Sequence, residues 1–299
     1  MRPRWQGPVG GAASSAGDSP LEPAAFRAAC REGRFTGTTS GVCPGYAQAN
    51  LIALPRSLAA DFRSFCERNP RPCPLLAVSE EPVLRALAPG ADLRTDVPRY
   101  RVAARGAPAV ERQDVRDVWE PDLTAFLLGC SFGFEAGLVE AGIRLRHQEE
   151  DRVVPMYRTD RDCEAAGPFR GRLVVSMRPI PASRVDDAVR ISDEQPLAHG
   201  APVHIGDPAG LGIRDLARPD WGEDGGLLPG EVPVFWACGV TSQVVAKSAG
   251  PDLLISHAPG FMFVTDVPVA EQSRASGNAG LHADSARLLS RRAPGTQPR

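Results

Sequence analysis

The apolar run Val232-Pro233-Val234-Phe235-Trp236-Ala237-Cys238 stops at Gly239 and restarts as helix-forming Val240-Thr241-Ser242, and this junction constrains the fold more than any other stretch. A buried strand that ends in a glycine turn and hands over to a Thr/Ser helix start calls for helices laid on a sheet. The first backbone N–H groups of such a helix lack intrahelical partners and favour an anion such as a carboxylate. In open α/β sheets ligands sit beyond the carboxyl ends of strands. His204 and His257 stand at two more strand ends of this kind, so several edges are expected to meet on one pocket.

A chain of 299 residues that is 42% hydrophobic can fill one large core or two modest ones. Its formal charge of −2, from 34 basic and 36 acidic residues, offers no field for nucleic acid or an anionic membrane, and neither is expected as a partner. No apolar run reaches the length of a membrane span and the N-terminus has no continuous apolar core of a signal peptide, so a cytoplasmic location is expected. Cys30, Cys43, Cys66, Cys73, Cys130, Cys163 and Cys238 are odd in number, scattered and never in a CxxC pair, which argues for reduced thiols.

Both ends, 1–22 and 269–299, mix Gly, Ala, Ser, Pro and Arg without periodicity and are expected to be disordered tails. Between them a layered α/β core with a mixed sheet is expected from 23–145 and 196–268, with a smaller α+β subdomain over 146–195. Apolar spacing predicts helices over 23–30, 55–67, 122–141, 181–191 and 241–248. Short strands are predicted at 75–78, from 100, and over 153–159, 173–180, 203–205, 232–238, 253–257 and 261–265. The predicted helix over 122–141 carries Gly129 and Gly133, each costing about 1 kcal/mol of helix propensity. No internal repeat stands out.

His204-Ile205-Gly206-Asp207-Pro208 places an imidazole at a strand end and a carboxylate at a helix N-cap, a geometry open to acid/base work and equally to a capped turn with a buried histidine. His257 precedes the tight turn Ala258-Pro259-Gly260, which can fix it at a pocket rim or merely in the core. Cys238 at a helix start is either a nucleophile or a buried apolar thiol. Arg94, Arg99, Arg158 and Arg178 lie in ordered segments and can each hold a carboxylate by two parallel hydrogen bonds, or pair with acids such as Asp92 and Asp96. His204, Asp207, Cys238 and His257 share no metal-ligand spacing, and neither a dinucleotide nor a phosphate-loop pattern occurs, so no metal and no cofactor is expected.

Several segments carry a resemblance to a known family. They are Pro44-Gly45-Tyr46-Ala47-Gln48-Ala49-Asn50-Leu51, Asn69-Pro70-Arg71-Pro72-Cys73-Pro74, Pro89-Gly90-Ala91-Asp92-Leu93-Arg94-Thr95-Asp96, Gly129-Cys130-Ser131-Phe132, Pro155-Met156-Tyr157-Arg158-Thr159, Ser176-Met177-Arg178-Pro179, Pro202-Val203-His204-Ile205-Gly206-Asp207-Pro208, Trp236-Ala237-Cys238-Gly239-Val240-Thr241 and His257-Ala258-Pro259-Gly260. In this order, over 25–268, the chain resembles the provisionally named hydro-lyases of bacteria and fungi, which are similar to a module of mitochondrial D-glutamate cyclase. In the last motif the family pattern has His after Pro-Gly, where this chain carries Phe261.

The resemblance implies a two-part α/β fold and loss of water from a small carboxylate or amino acid, with D-glutamate cyclisation to 5-oxoproline as the specific version. On that reading His204 and His257 move protons, with Asp207 orienting one of them. Arg94 and Arg99 clamp a carboxylate, and the Gly239, Thr241 and Ser242 backbone meets negative charge. Asn50, Tyr46 and Ser131 supply further polar contacts. The alternative is a binding protein for the same small carboxylate or amino acid, without turnover. A homo-oligomer stays open.

Overall fold

The computed structural model describes residues 21–271, so nearly all of the expected tails lie outside the described residues. The elements run α1 (Pro23–Arg31), β1 (Tyr46–Pro55), α2 (Ala59–Arg68), β2 (Leu75–Ser79), β3 (Tyr100–Ala104), β4 (Val110–Arg112), β5 (Leu123–Gly129), α3 (Phe132–Glu140) and α4 (Arg146–Glu149). They continue with β6 (Met156–Asp162), β7 (Arg172–Pro181), α5 (Val185–Asp193), β8 (His204–Ile205), β9 (Glu231–Ala237), α6 (Val240–Ser248), β10 (Leu253–His257) and β11 (Phe263–Pro268).

Helices on sheets make this the α/β architecture that the strand-to-helix junctions require. One sheet has the order β2-β5-β1-β10-β3-β4 with β11 also on β1, and the other has the order β6-β7-β9-β8. Where a mixed sheet is expected from the sequence, the ladders between these strands all run antiparallel. Strands β8 and β9, from the 196–268 stretch, join β6 and β7 in the second sheet.

β1 is buried along nearly its whole length because alternate residues feed two cores. Ala49, Leu51 and Ala53 pack with Leu127, Ile255 and Phe263 on one face. Ile52 and Leu54 pack with Phe62, Phe65 and Phe126 on the other, where each buried phenylalanine contributes roughly 2 kcal/mol.

The single helix expected over 122–141 is a strand and a helix. Leu123, Phe126 and Leu127 satisfy helical spacing, but a strand buried on both faces is apolar at every position and satisfies it too. Gly129 makes the break: the Leu197 carbonyl packs where its side chain would be, and its N–H donates to Pro74 O at 2.8 Å.

The two sheets exchange helices. α3 follows β5 of the first sheet, yet its Phe134 and Leu138 pack on Ile180, Val234 and Trp236 of the second. α6 follows β9 of the second sheet, yet its Val245 and Ala246 pack on Ile52, Phe62 and Phe126 of the first layer.

This reciprocity reflects an internal repeat. β1, the turn 56–58, α2 and Pro70 match β7, the turn 182–184, α5 and Pro196 position for position without a gap. The partner strands keep the same register, Ala49 with Gly129 through Pro55 with Leu123, and Val175 with Ala237 through Pro181 with Glu231. At the matching corners Arg56 N–H donates to Asp122 O at 2.7 Å and Ala182 N–H to Gly230 O at 2.9 Å. Each second strand then runs through a cysteine, Cys130 or Cys238, into its helix, and the Cys sulfurs meet the N–H groups of Phe132 and Val240 respectively.

Candidate active site

The two sheet layers leave a cleft beside α6. A space of about 430 Å³ is lined by Arg101, Arg158, Trp221, Gln243, Lys247 and Ser256 among others. Its charged lining is basic throughout, and among the described residues Arg101, Arg158 and Lys247 have no ion pair. Unpaired cations with no acid among them favour a ligand with more than one negative charge. Arg158 lies over the Trp221 ring, 5.4 Å from its centroid, which holds the guanidinium at the wall.

The cleft continues past Arg101 into a space of about 680 Å³ that reaches Arg99, Glu111, Asp220, Ala258 and Phe261. Arg99 lies 4.6 Å above the Phe261 ring and 3.5 Å from Glu111 Oε2. Phe261 thus forms apolar wall at the position where the resemblance implies a histidine.

Gln243 joins the cleft to a buried polar cluster. Its Nε2 is 2.8 Å from His257 Nε2 and 3.2 Å from His257 O. His257 Nδ1 is 2.7 Å from Ala258 O, so the tautomer that satisfies Ala258 O and Gln243 carries its proton on Nδ1 and accepts from Gln243 at Nε2, and it gives no hydrogen to Asn50 Oδ1. Burial pushes the His257 pKa down to about 4, and the ring is neutral at neutral pH. Asn50 Oδ1 stands 3.1 Å from the same Nε2, while Asn50 Nδ2 donates to Gly129 O at 2.7 Å and Leu128 O at 3.3 Å. The Asn50 amide fills the place a side chain at Gly239 would take, so that position requires glycine.

At the matching place of the repeat, Glu135 in α3 meets His147 at 3.0 Å. Glu135 Oε1 also accepts from Arg178 Nη2 at 2.5 Å and Nε at 3.0 Å, and Oε2 accepts from Gln148 at 2.7 Å and Ser40 at 2.9 Å. Burial pushes the carboxyl up, but the charges of His147 and Arg178 outweigh it and hold its pKa down to about 2. Arg178 is fully buried and donates also to Ser131 and Ser176 hydroxyls, so it is an internal brace.

The remaining expected residues fall in separate places. His204 lies on the far edge strand of the second sheet with Nε2 2.7 Å from Asp207 O, and Asp207 accepts from Ala209 N–H as a cap, so the pair forms a local turn. Arg94 is held in two parallel bonds by Asp92, at 2.9 and 2.8 Å. Tyr46 donates its hydroxyl to Glu22. Thr241 Oγ1 accepts from Val174 N–H, and Ser242 Oγ donates to Gly239 O. The Thr241 and Ser242 N–H groups donate to Cys238 O and Gly239 O, so they are spent within the first turn. Burial pushes the Cys238 thiol up to about 11, against a thiolate nucleophile.

Sequence reasoning missed Arg101, Lys247, Gln243 and Glu135. Glu135 carried a signal, as a lone acid in the otherwise apolar Ser131-Phe132-Gly133-Phe134-Glu135-Ala136-Gly137-Leu138. Among the described residues no group of three His, Cys, Asp or Glu side chains is placed to hold a metal. No helix among them is long and apolar enough to cross a membrane.

Residues 124–266 match the D-glutamate cyclase family. The chain is 56% identical over 251 residues to a provisionally named hydro-lyase of Stutzerimonas stutzeri, covering 83% of this chain and 94% of the relative. It is 58% identical over 243 residues to one of Rubrobacter xylanophilus, covering 81% and 94%. It is 51% identical over 249 residues to one of a Thermoanaerobacter species, covering 83% and 94%. Among solved structures, a nitrogen repressor-like protein of Methanococcus jannaschii matches at a TM-score of 0.34 and 10% identity, over 69% of this chain and 80% of that one.

Proposed function

Because the chain belongs to this provisionally named hydro-lyase family and carries its D-glutamate cyclase domain, we propose that it removes water from a small amino acid in the cleft beside α6, with D-glutamate the substrate and 5-oxoproline the product. The observation that carries this reading is the charge of the space beside α6: Arg101, Arg158 and Lys247 with no acid among the residues that line that space. D-glutamate brings two carboxylates. Cations around it also make its ammonium easier to deprotonate, as the attack requires a nitrogen lone pair.

In the reaction the nitrogen bonds to the side-chain carboxyl carbon and one carbon–oxygen bond of that carboxyl breaks. The ammonium loses two protons, and they leave with the departing oxygen as water. The guanidinium and ammonium groups of the cleft stabilise the charge that builds on the remaining oxygen. Both Gln243 amide hydrogens are directed at His257, which leaves Gln243 Oε1 as the acceptor offered to the substrate nitrogen. His257 is therefore a positioning residue that fixes this amide.

The test is incubation of purified protein with D-glutamate and mass spectrometry for 5-oxoproline, alongside the Arg101→Ala and Lys247→Ala variants. Absence of product from the parent protein sinks the reading. The second reading, a binding protein, is favoured by Phe261 under Arg99, where the resemblance implies a histidine. It predicts that D-glutamate raises Tm and is recovered unchanged.

A further inference from the structure

β10 and β3 form the floor of the cleft, and their register sets what its polar groups can do. Ser256 stands directly opposite Arg101 on the antiparallel ladder and Leu254 opposite Ala103, and all four line the space of about 430 Å³. Side chains paired in this way lie on one face of the sheet, about 5 Å apart at Cβ. The Arg101 guanidinium and the Ser256 hydroxyl therefore rise from neighbouring points of one floor.

Ser256 is 4% exposed, yet its hydroxyl bonds to nothing among the described residues. Its oxygen is not sealed in as those of Gln48, Thr124 and Gln195 are, so it opens onto the cleft. Ser248, on the α6 wall of the same space, differs: its hydroxyl is spent on Val244 O at 2.9 Å. A nearly buried hydroxyl without a partner is costly, and a ligand that accepts its hydrogen removes that cost. No acid lines this space, so Arg101 and Ser256 are neighbouring donors facing no carboxylate of the protein. A ligand carboxylate accepts from both.

Gln243 adds the other half. Its Nε2 reaches His257 O at 3.2 Å, one peptide from Ser256, while its Oε1 is open to the cleft. An acceptor thus stands beside a pair of donors, as an ammonium stands beside a carboxylate on the α-carbon of an amino acid.

We propose that Ser256 and Arg101 together hold the α-carboxylate of the amino acid whose nitrogen meets Gln243 Oε1. Lys247 and Arg158 are then left for the side-chain carboxylate, the one that reacts. The assignment rests on the cleft being an amino-acid site, and it adds the direction in which the substrate lies, with Ser256 as a residue that sets it.

The test is calorimetric titration of the full chain with D-norvaline, which has a methyl group in place of the side-chain carboxylate of D-glutamate and cannot cyclise. n-Butylamine and valerate are the same skeleton without the carboxylate or without the ammonium. D-norvaline is expected to bind more tightly than either. Ser256→Ala weakens it about tenfold, and Lys247→Ala leaves it nearly unchanged while weakening D-glutamate. Ser256→Ala also keeps the parent Tm, since no bond within the fold is lost; a lowered Tm would show a structural partner for the hydroxyl and overturn the assignment. Parent-like D-norvaline affinity in Ser256→Ala overturns it too, as does an equal loss in Lys247→Ala, equal binding of n-butylamine or valerate, or no binding of D-norvaline to the parent protein. Formation of 5-oxoproline from D-glutamate is read separately. Product without a Ser256 effect leaves the proposed reaction standing and removes this subsite, and a Ser256-dependent D-norvaline site without product does the reverse.

Discussion

Gln243 donates to His257 Nε2 across 2.8 Å, and this one hydrogen bond links the wall of the cationic cleft to a buried, neutral histidine. With His257 in a positioning role, His257→Phe lets the Gln243 amide turn and lowers kcat about tenfold with D-glutamate. His204→Asn, on the distant edge strand, leaves turnover unchanged. Steady-state kinetics of the two variants check this, and equal losses in both would remove the distinction.

On the proposed function the cleft cations act on substrate charge. Arg101→Ala and Lys247→Ala are each expected to raise KM for D-glutamate about tenfold, while Arg94→Ala, whose guanidinium is already held by Asp92, leaves KM as it is. A KM effect at Arg94 equal to that at Arg101 would place the substrate elsewhere.

Acid weakens the fold in a defined window. Burial pushes His199 and His257 each from 6.5 down to about 4, so below pH 6.5 the unfolded chain takes up protons that the folded chain refuses. Their contribution is complete above 6.5 and is lost as pH falls toward about 4, at about 1.4 kcal/mol per pH unit for each group. Glu135 acts lower, between 4.5 and about 2. Urea unfolding across the upper window checks this: His257→Gln should show a shallower slope than the parent, and parallel slopes would show that His257 does not titrate there.

The Arg178–Glu135 pair is buried, so breaking it from one side costs more than removing it. Arg178→Met takes one of two cationic partners from a buried carboxylate and is expected to cost about 3 kcal/mol, with Arg178→Met/Glu135→Leu costing less than the single change. A double-mutant cycle by chemical denaturation decides it.

Gly239→Ala drives a methyl group into the Asn50 amide. It is expected to lower stability by roughly 1–3 kcal/mol, and a second-site Asn50→Ala should recover part of the loss. Calorimetry of the three proteins checks it. No recovery would mean that Asn50 is not what the methyl group meets.

Much of the fold was legible in the sequence because its strands are short and its turns are marked. The junction at Gly239, the helix after it and the strand ending in His257 are all where the apolar pattern puts them. The stretch from Leu123 to Glu140 was not, since a strand buried on both faces and an apolar helix share one composition, and only the Leu197 carbonyl against Gly129 separates them. The repeat was silent because the matched elements share few residues, such as Pro55 with Pro181, Ser57 with Ser183, Asp61 with Asp187, Pro70 with Pro196 and Cys130 with Cys238.

The candidate site was harder to see. His257 and Asn50 lie about 200 positions apart, and their contact is a product of the β1–β10 ladder, which one-dimensional spacing does not reveal. Arg101 and Lys247 matter for the partners they lack, a property that exists only once every neighbouring acid has a place.

The exchange of helices between the sheets bears on how such a chain can be altered. Each helix takes its anchor from one sheet and its seat from the other, so neither half has a finished core of its own, and a chain cut between β5 and β6 should expose Phe134, Leu138 and Trp236 together. Each of those helices nevertheless keeps an outward row, and the cleft sits on that of α6. A designer can rewrite the charge on one row while the interlocked interior remains as it is, so that two surfaces can be tuned separately on one indivisible frame.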